Sequence, residues 1–176
     1  LVRDIHMHYS VGVEYALHSL LSLAHPTIQQ PIGIKDLAAF HGVSESYLSK
    51  IFTKLTKAGI VQSIPGVKGG YELAKSPDMI TFLDVVEAIE GKQPIFQCRN
   101  ILAKGITYQQ EESERAKRIR AGKIPCRINL TMLEAEEQMR TYLKGKTLRW
   151  LQETLAEELP AEVHQQTEDW FRQRLK

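Results

Sequence analysis

The sequence predicts a mainly α protein with a small β-wing, a winged helix-turn-helix followed by long C-terminal helices. Three observations carry this. Two short segments with apolar residues at helical spacing, 34–41 and 45–58, are joined by a glycine-containing turn, the pattern of a helix-turn-helix. The period then drops to that of a strand on both sides of the glycine-rich stretch 65–70. Helical patterning returns from Thr131 to the end of the chain.

Each element has its own local reason. From Ser10 to His25, Val13, Leu17, Leu20, Leu21 and Ala24 recur at helical spacing, and Pro26 stops the pattern. After a loop with Pro26 and Pro31, Ile34 to His41 forms a short helix, and Gly42 suits a left-handed cap. Ser44 is placed to cap a helix from Glu45 to Ala58, with Tyr47, Leu48, Ile51, Phe52 and Leu55 inward and Gly59 at its end. Ile60–Ile64 and Tyr71–Leu73 read as the strands of a hairpin whose turn is Pro65-Gly66-Val67-Lys68-Gly69-Gly70. Thr81 caps a helix from Phe82 to Glu90, on which Leu83, Val86 and Ile89 share one face. Residues 92–125 are less regular, and Glu111 to Arg120 is densely charged, as an exposed helix or a mobile loop would be. Thr131 with Glu134 fits a capping box that opens a helix to about Lys144.

Two more apolar runs complete the chain. Leu148, Trp150, Leu151, Leu155 and Leu159 end at Pro160, and Val163, Trp170, Phe171 and Leu175 extend the helical pattern to the tail. Left exposed, these aromatics would form an apolar patch of the kind that marks contacts, with burial inside one chain as the alternative. The expected organisation is therefore a winged helix-turn-helix domain over 8–91, a variable sensor-type loop over 92–125 and long C-terminal dimerisation helices over 126–176.

Composition excludes several classes. With 176 residues, 43% hydrophobic and 25% charged, the chain has ordinary globular usage, which rules out collagen-like, wholly disordered and disulfide-scaffold proteins. No apolar run approaches the ~18 residues of a spanning helix and no signal-peptide pattern opens the chain, so a cytoplasmic protein without a membrane partner is expected. The net charge of +2 is unevenly spread. Residues 99–123 hold seven basic against three acidic side chains, and residues 44–75 hold five lysines against Glu45 and Glu72. A local basic face on a near-neutral chain points to a located polyanion contact.

That face lies on the helix from Glu45. Ser46, Ser49, Lys50, Thr53, Lys54 and Lys57 make it polar, with serine and threonine able to meet base edges or phosphates and lysine able to neutralise phosphate. With Tyr47 at its edge and the wing residues Lys68, Gly69, Gly70 and Tyr71, these form the candidate DNA-binding set. The wing glycines fit either close backbone approach to a phosphate or an ordinary hairpin turn. The cations Arg115, Lys117, Arg118 and Arg120 lie in the densely charged segment and either add to DNA affinity or are simply solvated. No nucleophile–base pair, phosphate loop or zinc-ligand spacing is present, and the histidines are scattered along the chain, so no enzyme and no metal site is expected.

The residues also carry a family resemblance. SVGVEYALHSLL (10–21), VSESYLSKIFTKLTKAGIV (43–61), GVKGGYEL (66–73) and ITFLDVVEAIEG (80–91) together resemble the Rrf-two family of bacterial winged-helix transcriptional regulators, with its IscR-, NsrR- and CymR-like members. The resemblance spans about residues 8–98 and resumes from Cys126 to Leu151. It implies a homodimer that binds a double-stranded, pseudo-palindromic DNA operator, with a long helix of the C-terminal half as the dimer contact. The chain departs from the family at two places. Pro65 precedes Gly66 where many members carry an arginine. Cluster-binding members carry three cysteines, whereas only Cys98 and Cys126 match here, 27 residues separate them, and Asn129 stands where a histidine often follows.

Those two cysteines are the candidate redox or effector residues. Each is followed by an arginine, Arg99 and Arg127, a setting that favours thiol–disulfide chemistry. Two thiolates fall short of the ligand set of an iron–sulfur cluster, so no cofactor is expected. Three readings of the pair stand: a thiol switch, a cluster completed by other ligands or by a partner copy, and an inert pair. The function expected is a DNA-binding transcriptional regulator, a dimeric repressor with a thiol- or redox-responsive pair, and the rival is a winged-helix protein-interaction module without effector sensing.

Overall fold

In the computed structural model, the described residues are 9–28 and 30–175. Residue 8, where the sequence starts its first domain, and Lys176 lie outside them. The described residues fall in two compact units: one up to Lys92 and again from Leu143 on, the other Gln93–Tyr142.

The first unit holds α1 (Val11–Leu23), α2 (Ile34–His41), α3 (Glu45–Lys57), β1 (Val61–Ile64), β2 (Gly70–Leu73) and α4 (Phe82–Glu90). Gly42 is left-handed at φ 65 and ends α2. The Ser44 side chain accepts the Tyr47 N–H at 3.3 Å and starts α3. Thr81 and Asp84 form a reciprocal capping box at the start of α4. The strands pair antiparallel from Val61 with Leu73 to Ile64 with Gly70. A third segment, unmarked in the sequence, joins them: Ile32 and Tyr71 exchange two backbone hydrogen bonds, at 3.0 and 2.9 Å.

Leu20, Leu37, Leu48, Phe52, Leu55, Val85 and Ile80 are buried together between α1, α3 and α4 and beneath the hairpin. Full burial of such a side chain stabilises the fold by about 1.5–3 kcal/mol each. The same core receives Leu148 from α9 (Leu148–Glu158) and Phe171 from α10 (Ala161–Arg174). Residues 80–82 and 146–148 form a short antiparallel bridge, with Phe82 N–H to Lys146 O and Leu148 N–H to Ile80 O both at 2.8 Å. Phe40, Trp170 and Phe171 stack within 5.0 Å of one another, and Trp150 meets Phe82 edge-on. These aromatics are thus partly or wholly taken up inside one chain.

The second unit carries α5 (Ile101–Lys104), α6 (Ile106–Gln110), α7 (Glu114–Arg120) and most of α8 (Arg127–Lys144). The charged stretch is a helix, capped by Ser113 and burying Ala116 and Ile119. Contrary to the capping-box expectation, α8 starts before Thr131, whose hydroxyl donates back to the Arg127 carbonyl at 3.0 Å. Among the described residues no helix is long and apolar enough to cross a membrane.

Candidate nucleic-acid interface

Once Leu48, Ile51, Phe52 and Leu55 turn into the core, the helical period leaves Ser46, Ser49, Lys50, Thr53 and Lys57 on the opposite side of α3. Ser46, Lys50, Thr53 and Lys57 are exposed and Ser49 is half-buried. Lys50 and Lys57 hold no ion pair or hydrogen bond among the described residues. The Thr53 hydroxyl donates to the Ser49 carbonyl at 2.8 Å, which commits its proton and leaves its lone pairs to accept. Thr56, which the sequence reading passed over, is exposed three residues on from Thr53, and that spacing was the available signal.

Two members of the expected set are engaged within the chain. Tyr47 and Lys54 lie on the flank of α3 that faces α1 and α4. The Tyr47 ring packs edge-on against Tyr15, with centroids 5.9 Å apart. Lys54 Nζ donates to the Ile89 carbonyl at 2.7 Å, placing a cation on a carbonyl of the last turn of α4.

The wing places Lys68 at an exposed tip beside Val67, whose side chain is wholly in solvent. Its glycines are explained by the hairpin itself. Gly66 has φ 111, and its carbonyl accepts the Gly69 N–H at 2.9 Å to close the turn. A Cβ at Gly69 would lie 2.1 Å from the Ile64 carbonyl oxygen, and one at Gly70 would lie 2.5 Å from the Ile32 carbonyl. Tyr71 pairs with Ile32 through its backbone, and its ring packs at 4.7 Å on Phe52. Of the four wing residues in the expected set, Lys68 alone presents a long, unengaged side chain.

In the second unit, Cys98 is exposed and Cys126 half-buried, both as free thiols. The Asn100 N–H donates to Cys98 Sγ at 3.4 Å, and Cys126 directly precedes α8, its carbonyl accepting the Leu130 N–H. Of the cations in the charged segment, Lys117 pairs with Glu114 at 2.8 Å and Arg120 donates to the carbonyls of Tyr108 and Glu111. Arg115 and Arg118 are exposed and unengaged among the described residues. No three His, Cys, Asp or Glu side chains among the described residues gather where they could hold a metal ion. Two thiols without such a cluster do not fit an iron–sulfur centre, which needs about four ligands.

Comparison with known proteins agrees with this geometry. The family Rrf2, described as an iron-dependent transcriptional regulator, matches residues 9–154. The chain is 27% identical over 165 residues to YwgB of Bacillus subtilis, covering 94% of this chain and 95% of YwgB. It is 36% identical over 85 residues to the HTH-type transcriptional regulator CymR of the same organism, covering 48% of this chain and 62% of CymR. The solved structure of CymR, the global cysteine regulator of B. subtilis, superposes with a TM-score of 0.58 at 27% identity, covering 84% of this chain and 98% of that one.

Proposed function

The chain belongs to the Rrf2 family of DNA-binding transcriptional regulators and is not an enzyme, and from that premise we propose that it is a homodimeric repressor of a pseudo-palindromic operator. α3 enters the major groove. Ser46, Ser49 and Lys50 address base edges, and Thr53 and Lys57 address phosphates. Lys68 carries the wing to the backbone beside the groove. The observation that supports this best is the outer face of α3, whose two lysines are held by nothing in the chain. A helix with that face free, braced on the other side by a buried core, is built to receive an external polyanion.

The dimer contact is assigned to α8. Its 18 residues include none that is buried, while Ile128, Met132 and Leu133 are all exposed large apolar side chains. Such a row on a helix is commonly covered by a partner. Cys98 and Cys126 serve as the redox-responsive pair, through disulfide formation or exchange.

Selection from a random pool of duplex DNA tests the reading. The expected result is a motif with two half-sites related by a dyad, bound with an affinity that falls steeply with salt. A pool that stays unenriched would instead leave a protein-interaction module. Operator release by oxidant is expected in the native chain and absent when Cys98 and Cys126 are both replaced by serine. Equal release in both would remove the thiols from sensing.

A further inference from the structure

Four of the six histidines, far apart in sequence, come together around one cleft. His18 is on α1, His25 just beyond it, His41 ends α2 and His164 is on α10, while α9 closes a further side. The cleft has a volume of about 590 Å³, within the range that holds a small organic molecule. Leu21, Phe40, Leu155, Leu159 and Val163 give it a predominantly apolar wall.

A few polar atoms converge on this wall with hydrogen-bonding capacity to spare. Gln152 Nε2 donates to the Ala24 carbonyl, which fixes the amide, while its buried Oε1 has no hydrogen-bond partner among the described residues. A buried acceptor left unmade costs about 1–3 kcal/mol, so it favours a ligand that donates to it. One ring nitrogen of His25 meets Thr27 Oγ1 at 3.0 Å, and one of His164 meets the Leu155 carbonyl at 3.3 Å; no contact among the described residues engages the other.

The charge pattern narrows the ligand class. Arg149 Nε is paired with Asp78 at 3.1 Å, and Glu168 is paired with Arg172. Burial, and then the nearby His18, lower the His41 pKa to about 4, and burial also lowers that of His25 against the pull of Glu168. Both imidazoles are therefore neutral at neutral pH, and an anion entering the cleft would find no unpaired cation to offset its desolvation.

We infer that this cleft is a binding site for a small, neutral organic molecule with an apolar or aromatic body and one hydroxyl or N–H donor, the donor meeting Gln152 Oε1. The inference concerns the cleft alone and is independent of the DNA reading.

The probe for the test is 2-naphthol, followed by its fluorescence and by calorimetry on the full chain without DNA. Saturable binding at one site per chain is expected, about tenfold tighter than for 2-methoxynaphthalene, which lacks the donor, and for 2-naphthoate, which carries a charge. Gln152→Leu should erase the preference for naphthol over its methyl ether. Ala156→Trp, at an exposed position on the lining, should abolish binding while circular dichroism stays native. Non-saturable binding, equal affinity for naphthol and its ether in the native chain, tightest binding of naphthoate, or native-like binding by a folded Ala156→Trp variant would each overturn the inference.

Discussion

At the scale of single residues, lysines that look alike in the sequence do different work. Lys50 and Lys57 are unengaged, whereas Lys54 donates to the Ile89 carbonyl. Lys50→Ala with Lys57→Ala should therefore weaken DNA binding and flatten the dependence of log affinity on log salt by about one unit per lost phosphate contact, with an unchanged urea midpoint. Lys54→Ala should instead lower stability by about 0.5–1 kcal/mol through the uncovered carbonyl. Anisotropy against salt and urea unfolding separate the two, and a salt slope unchanged in the double variant would take this face out of the interface. Spacing along α3 put all three lysines on polar ground; only the approach of α4 distinguished Lys54. Gly70 offers a second residue-scale prediction. Because a Cβ there would press to 2.5 Å from the Ile32 carbonyl, Gly70→Ala should destabilise the first unit by about 2 kcal/mol or more in urea unfolding. A variant as stable as the native chain would show that the backbone shifts at little cost.

At the scale of elements, the local rules read most of the winged helix from sequence. Gly42 as the left-handed end of α2, Ser44 as the cap of α3, and Thr81 with the boundaries of α4 were all legible, because capping chemistry and period act over a few residues. The start of α8 was not, because Thr131 can cap a helix or bond back to the carbonyl four residues earlier, and the second option holds here. The Ile32 bridge was also invisible, since one residue shows no period. α8 yields a prediction of its own. Met132→Glu with Leu133→Glu should leave helix content unchanged, as neither side chain is buried, yet shift sedimentation from dimer to monomer. Sedimentation identical to the native chain would place the dimer contact elsewhere.

At the scale of the whole molecule, the C-terminal helices have a role that linear order obscures. The sequence sets 126–176 apart from the winged helix, but Leu148 and Phe171 belong to its core and the 80–82 and 146–148 bridge ties the segments together. This packing also half-buries His41, which has consequences for stability. Its pKa, ordinarily 6.5, is lowered to about 4 by burial and by His18, so between those values the unfolded chain binds the proton more readily. The stability that neutral His41 provides is whole above pH 6.5 and declines as pH falls toward 4. The urea midpoint should fall between pH 7 and pH 5, and His41→Gln should make that fall shallower. An equal fall in both would mean that other groups carry it.

The sequence by itself determined the winged helix-turn-helix, the polar face of α3 and the family, because periodicity, caps and turn glycines are encoded within a few residues of one another. Tertiary structure alone decided which lysines stay free, why Gly69 and Gly70 must lack a Cβ, and that four scattered histidines share one cleft. Each of these depends on atoms brought together from distant parts of the chain, and no local pattern records such an encounter before the core has closed.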